Sequence, residues 1–247
     1  MSLRFPILLF LLSLILGCAG EPNRIDVKGD SMSTIKDSSK LINSDQGDVV
    51  ESTDESDMLK ILDEYGTYIR KYSKHYGFDW MLVLAVIKTE SGFMMQAESP
   101  KGALGLMKIM PTTGKAIAVE LNLEEVVSPR NNIAAGIYLL WKIADNYDSA
   151  DEDNKIKITL AAYNCGIGRV SDARDIIRSR GGNPNDWGQV LESLKLLSKD
   201  NSDLHKSVWD SGKPPSGYFN DWQQPNGYVN TVLRHYNNFR YKFAHNI

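Results

Sequence analysis

Glu90 is the residue in this chain best placed to do acid–base chemistry. It closes the stretch MLVLAVIKTESGF, residues 81–93, in which Met81 to Ile87 are all apolar and Trp80 precedes them. A helix that is apolar on every side is a buried helix. A carboxyl at its end lies close to the core, and desolvation disfavours its charged form. The partial negative charge at a helix C-terminus acts in the same direction. A carboxyl kept protonated near neutral pH is what a general acid requires. Lys88 lies two residues away, off the helix face of Glu90, and does not oppose this. Taken alone, however, the stretch favours a plainer reading, a helix-end glutamate that turns to water.

Three later stretches carry further polar and aromatic groups: SPKGALGLMKIMP at 99–111, AAYNCGIGRV at 161–170 and GYVNTVLRHY at 227–236. In the first, Ser99 suits a turn before Pro100, and Gly102 and Gly105 permit tight backbone conformations. Leu106, Met107, Ile109 and Met110 line a groove or pack beneath it, with core the default for apolar residues at this spacing, and Lys108 stands among them. The second stretch offers Tyr163 and Asn164, with Cys165 as a small buried filler. In the third, Tyr228 has two comparable readings, a groove residue and a packing residue of a C-terminal helix. No second acid stands in 102–111 or 161–170. Glu98 lies in the loop before Ser99, and Glu120, Glu124 and Glu125 read as solvated charges at a helix end. The pattern is compatible with a site built on one carboxylate.

The elements that must position these groups are helical. Leu59, Leu62, Tyr65, Ile69 and Tyr72 recur at helical spacing from about residue 56, and Gly77 is a stop signal. Asp79 then suits the N-cap of the apolar helix, and Gly92 its C-terminal stop. Residues 94–105 read as a loop, and Pro111 opens a helix through 120. Further helices are expected at 129–146, over the segment ending at Asn164, at 168–179, at 187–197 and from Gly227 onward. Residues 201–225 hold three prolines and several glycines and read as an irregular loop. Trp187, Trp209, Tyr218, Phe219 and Trp222 cluster in or beside it, as packing residues or as a stacking surface. No strand alternation or internal repeat is visible, so one all-α domain over 58–247 is expected.

The chain has 247 residues, a net charge of −3 and a pI near 5.8, which excludes the basic footprint of a nucleic-acid binder. Two cysteines, Cys18 and Cys165, exclude a disulfide scaffold. At the N-terminus Arg4 precedes a short apolar run that ends in ILGC, a signal peptide over 1–17 and too short to span a membrane. ILGC resembles a bacterial lipoprotein lipobox, which implies cleavage before Cys18 and lipidation of its sulfur; ordinary secretion is the alternative. Ala19, in place of Asp, favours the outer membrane by the same resemblance. Residues 18–57 form a polar, aromatic-free segment read as a flexible tether.

Taken in order, ESGF and the three later stretches resemble the lytic transglycosylases of the soluble-lytic-murein-transglycosylase type, over about residues 60–245. The resemblance implies a lysozyme-like fold. It also implies cleavage of the β-1,4 bond between N-acetylmuramic acid and N-acetylglucosamine without water, leaving a 1,6-anhydromuramoyl end. Glu90 takes the place of the family glutamate, first acid and then base. Ser99 takes the place of the serine that holds the substrate N-acetyl group. Met110 matches a methionine facing the saccharide, Tyr163 and Asn164 the family tyrosine and asparagine beside the glutamate, and Tyr228 a groove tyrosine. Lys108 departs from the family glutamine of GLMQIMP. Lysine only donates and carries charge, and three placements stand open: toward Glu90, toward an anionic group of substrate, or out to solvent. Cys165 and Ile167 depart from the usual Ala and Pro. The implied partners are peptidoglycan strands and, through Cys18, a membrane; no cofactor, metal or nucleic acid is implied, and a monomer is expected. A goose-type lysozyme-like muramidase and a non-catalytic peptidoglycan-binding lipoprotein are the rival readings.

Overall fold

The computed structural model describes residues 47–245, with side chains described from residue 55. The signal peptide, Cys18 and the tether up to residue 46 lie outside the described residues. Helix α1 spans Gly47–His75, so residues 47–57, expected within the tether, are helical instead. The anchor is tertiary. Met58 and Ile61 are each only 3% exposed, and Glu55 pairs with Lys242 near the far end of the chain. Once such contacts hold a nucleus, each added turn costs little, and the helix extends upstream into polar sequence.

Helix α2, Trp80–Ser91, is the centre of the fold. Leu82 to Ile87 are buried around its whole circumference, as the unbroken apolar run requires. Its ends follow the local signals. The Asp79 carboxylate accepts the Met81 N–H at 2.9 Å, and Gly92 adopts φ 56 and donates its N–H to the Lys88 carbonyl.

The remaining helices are α3 (Pro111–Glu120), α4 (Pro129–Ala144), α5 (Glu152–Cys165), α6 (Ile167–Ser179), α7 (Trp187–Lys195), α8 (Ser202–Val208) and α9 (Gln223–Ala244). α2 packs against α1 and α9, and α5 packs against α4, α6, α7 and α9. α9 therefore lies across the two helices that carry Glu90 and Tyr163. Among the described residues there is no strand, only isolated bridges of Leu104 with Glu98 and with Ile109, and the fold is all-α. No helix among them is long and apolar enough to cross a membrane.

Two elements differ from expectation. α8 forms inside the segment read as an irregular loop. It has seven residues, too few to display a period, and its helix is held by burial: His205 is fully buried and its Nε2 bonds the Leu196 carbonyl at 2.7 Å. α9 begins at Gln223, ahead of the expected Gly227, and carries Pro225 in its first turn, where a missing N–H leaves no intrahelical bond unmade. Glu120 and Glu125 are also not merely solvated. Glu120 accepts from Lys142 and from the Tyr138 hydroxyl, and Glu125 accepts the Ser128 N–H at the start of α4.

Candidate active site

Three elements converge on Glu90 at the end of α2. From α9, the buried Tyr228 donates its hydroxyl hydrogen to Glu90 Oε1 at 2.6 Å. From α5 comes Tyr163, and from the 94–110 segment comes Lys108. Burial is the largest influence on the Glu90 carboxyl and pushes it up to about 7; the Tyr228 hydrogen bond and then the Lys108 ammonium pull it back. Both tyrosine hydroxyls are raised well above their ordinary range, by burial first and by the Glu90 carboxylate second. They remain protonated donors at any physiological pH. The carboxyl is thus poised to hold or release one proton near neutrality, with a fixed donor on one oxygen.

The 94–110 segment is built by local turns and one buried side chain. Leu104 and Ile109 exchange both backbone hydrogen bonds, and Lys108 lies between them at φ 49, a left-handed conformation uncommon for a non-glycine residue. Asn132 of α4, 1% exposed, holds this turn from beneath. Its Oδ1 accepts the Met107 N–H at 2.8 Å, and its Nδ2 donates to the carbonyls of Leu104 and Val126 at 3.0 Å. Gly105, at φ 81, leaves room for it: a Cβ there would lie 2.5 Å from Asn132 Nδ2. The other side of Met107 is held as well, because the Tyr163 hydroxyl donates to the Met107 carbonyl at 2.6 Å.

The residues singled out in sequence distribute unevenly around this centre. Glu90, Lys108, Tyr163 and Tyr228 come together. Tyr163 does not bond Glu90 directly; it braces the turn that presents Lys108. Tyr228, for which helix packing was a comparable reading, is the direct partner. Of the three placements open for Lys108, its effect on the Glu90 carboxyl agrees with the one toward Glu90. Ser99 closes its turn, its Oγ accepting the Ala103 N–H at 2.9 Å, which leaves the hydroxyl hydrogen for another acceptor. Asn164 has a buried Oδ1 with no hydrogen-bond partner among the described residues. Met110 is 41% exposed at the start of α3, whereas Leu106, Met107 and Ile109 are core. Lys88 lies 5.8 Å over the Phe239 ring. Asn132 was missed in sequence. The one available signal was a polar side chain on the inward face of a helix, just before Ile133 and Ala134.

Residues 67–184 match the family described as the transglycosylase SLT domain. The matched segment covers just under half of the chain. It contains Glu90, Ser99, Lys108, Met110, Tyr163, Asn164 and the bracing Asn132, and it ends before α9 and Tyr228. A membrane-bound lytic murein transglycosylase F from Vibrio campbellii is 36% identical over 137 residues, covering 55% of this chain and 24% of the relative. The protein of the same name from Pasteurella multocida is 35% identical over 140 residues, covering 56% of this chain and 27% of the relative. The chain thus spans about a quarter of the length of these relatives. Among solved structures, the 70 kDa soluble lytic transglycosylase of Escherichia coli aligns with a TM-score of 0.48 and 22% identity, over 72% of this chain and 24% of that one.

Proposed function

We propose that this protein is a peptidoglycan lytic transglycosylase with Glu90 as its single acid–base residue, on a lysozyme-like SLT domain. The observation that carries the reading is the Glu90 carboxyl, held near half-protonation by burial and contacted by the Tyr228 hydroxyl inside that domain. The groups that shift this carboxyl are Tyr228 and Lys108, and neither is a second carboxylate. That favours a route with no separate nucleophilic acid, one of the exceptions to the paired-carboxylate rule.

The protonated Glu90 gives its proton to the glycosidic oxygen as the bond from the muramoyl anomeric carbon breaks. The N-acetylglucosamine chain leaves as an alcohol. The substrate N-acetyl oxygen stabilises the anomeric cation, with Ser99 bonding that acetamido group. Glu90, now a carboxylate, takes the proton of the muramoyl 6-hydroxyl, whose oxygen closes on the anomeric carbon. The products are a 1,6-anhydromuramoyl end and a glucosamine end, and Glu90 is reprotonated without water. Tyr228 keeps the carboxyl oriented through both steps. Asn164 and Met110 line the saccharide path, and Lys108 limits how long the proton is retained.

The protein works in the bacterial cell envelope as a monomer, held by a lipid on Cys18 at the outer membrane, facing the periplasm. The lipobox-like ILGC, the expected signal peptide and the words membrane-bound in the names of the relatives support this placement. Digestion of purified sacculi by wild type and by Glu90→Gln, followed by product masses, tests the reaction. Anhydro ends from wild type and none from the variant are expected. Reducing ends would assign a muramidase instead, and an unimpaired Glu90→Gln would remove Glu90 from the mechanism.

A further inference from the structure

Helix α9 grips α2 at both ends. The Tyr228 hydroxyl donates to Glu90 Oε1 at 2.6 Å, and further along α9 the Tyr236 hydroxyl donates to Asp79 Oδ2 at 2.8 Å. Asp79 is the N-cap of α2, its other oxygen taking the Met81 N–H. Tyr228 and Tyr236 occupy i and i+8, positions that share one side of a helix about 12 Å apart. Asp79 and Glu90 are about 16 Å apart along α2, and the two contacts run in opposite order along the two helices. α9 is therefore antiparallel to α2 and pinned at two points.

Between the two hydrogen bonds the contact is apolar. Val229 and Val232 are buried and apolar, and apolar contact is non-directional. A hydrogen bond to a carboxylate is directional and strong. Tyr236 is itself 3% exposed, so this bond is made in the protein interior.

We infer that Tyr236 is a positioning residue for the acid: by bonding Asp79 at one end of α2 it holds α9 at the register in which the Tyr228 hydroxyl meets Glu90 at the other. This rests on the reading of Glu90 as the acid. It extends the site beyond the SLT segment, which ends at residue 184, to a helix that begins at Gln223. The groups facing the carboxyl are Tyr228 from α9, Tyr163 from α5 and Lys108 from the 94–110 segment. Arg240 lies over the Tyr236 ring, and Asp79 accepts from its hydroxyl.

Register and bulk stability are separable because the Tyr228 bond lowers the proton affinity of Glu90. The test is a 13C-carboxyl NMR titration of Glu90 in the full chain for wild type, Tyr236→Phe, Tyr228→Phe and the double variant. The expected result is a Glu90 midpoint raised in Tyr236→Phe, in the same direction as in Tyr228→Phe, with no further rise in the double variant. Val232→Ala, which loosens a buried α9 position and leaves both hydrogen-bonded pairs in place, is expected to lower Tm and leave the midpoint unchanged. On sacculi, Tyr236→Phe is expected to lower kcat about tenfold at unchanged KM, the mark of a misplaced catalytic group. A Glu90 midpoint at the wild-type value in Tyr236→Phe, or shifts that simply add in the double variant, overturns the inference. Asp79→Asn, which keeps the cap but weakens the charge-assisted bond, carries the same titration if Tyr236→Phe does not fold. The titration needs no turnover, so a wild type that releases no anhydro product would sink the proposed activity while leaving the register result readable.

Discussion

Replacing the acid should make this protein more stable, and only above a certain pH. Burial lifts the Glu90 carboxyl from an ordinary 4.5 to about 7 in the folded chain. Between those values the folded protein holds a proton that the unfolded chain releases. The contribution of this group is therefore full below about pH 4.5, falls as pH rises toward about 7, and is lost beyond it. The difference of about 2.5 pH units, at about 1.4 kcal/mol each, makes the ionised carboxylate a burden of about 3 kcal/mol above pH 7. Glu90→Gln removes the charge and keeps an oxygen to accept the Tyr228 hydroxyl. For a domain of this size, about 3 kcal/mol corresponds to about 6–12 °C in Tm. Thermal unfolding followed by circular dichroism at pH 4 and pH 8 gives the assay. The Tm advantage of Glu90→Gln over wild type should be larger by that amount at pH 8 than at pH 4. A difference that does not change with pH, or that shrinks toward pH 8, would refute the claim that burial holds this carboxyl protonated.

In the proposed mechanism the same proton sets the rate. Initial rates of anhydro product release from sacculi should fall as pH rises through about 7, because the acid must enter the reaction protonated, and Lys108→Gln should move that descending limb to higher pH by removing a charge that favours the carboxylate. Asn132→Leu strands the Met107 N–H and the Val126 carbonyl, while the Leu104 carbonyl keeps the Ile109 N–H. At about 1–3 kcal/mol for a buried group left unpaired, a loss of at least about 2 kcal/mol in urea unfolding is expected, and a loss under about 1 kcal/mol would contradict the bracing role. Gly105→Ala should destabilise as well, since its Cβ meets the Asn132 amide at φ 81. Cys165 is 5% exposed and its thiol is pushed up to about 12 by burial, so in a Cys18→Ser background a disulfide reagent at pH 8 should label it only after unfolding.

What was legible in sequence was local. The apolar run from Met81 to Ile87 required a buried helix, Asp79 and Gly92 marked its ends, and Pro111 and Pro129 opened α3 and α4, because caps and first turns depend on residues within one turn of each other. Period failed where elements were short or anchored from afar. α8 is too brief to show one, and the upstream half of α1 is helical because Met58, Ile61 and Glu55 find partners elsewhere.

By itself, then, the sequence placed a carboxyl at the end of a buried helix within an all-helical domain, and left two readings of it, turned to water or holding its proton by desolvation. Only the tertiary structure decided which groups meet that carboxyl. Tyr228 reaches Glu90 across 138 positions, Tyr163 turns instead to the Met107 carbonyl 56 positions away, and Asn132 ties down the Lys108 turn from a helix of its own. A hydrogen bond depends on atoms within about 3 Å, and helix propensity, capping and period carry no information about distances between helices. Those follow from how the apolar faces of α2, α5 and α9 pack, and that packing sets which tyrosine touches the acid and which braces its neighbour.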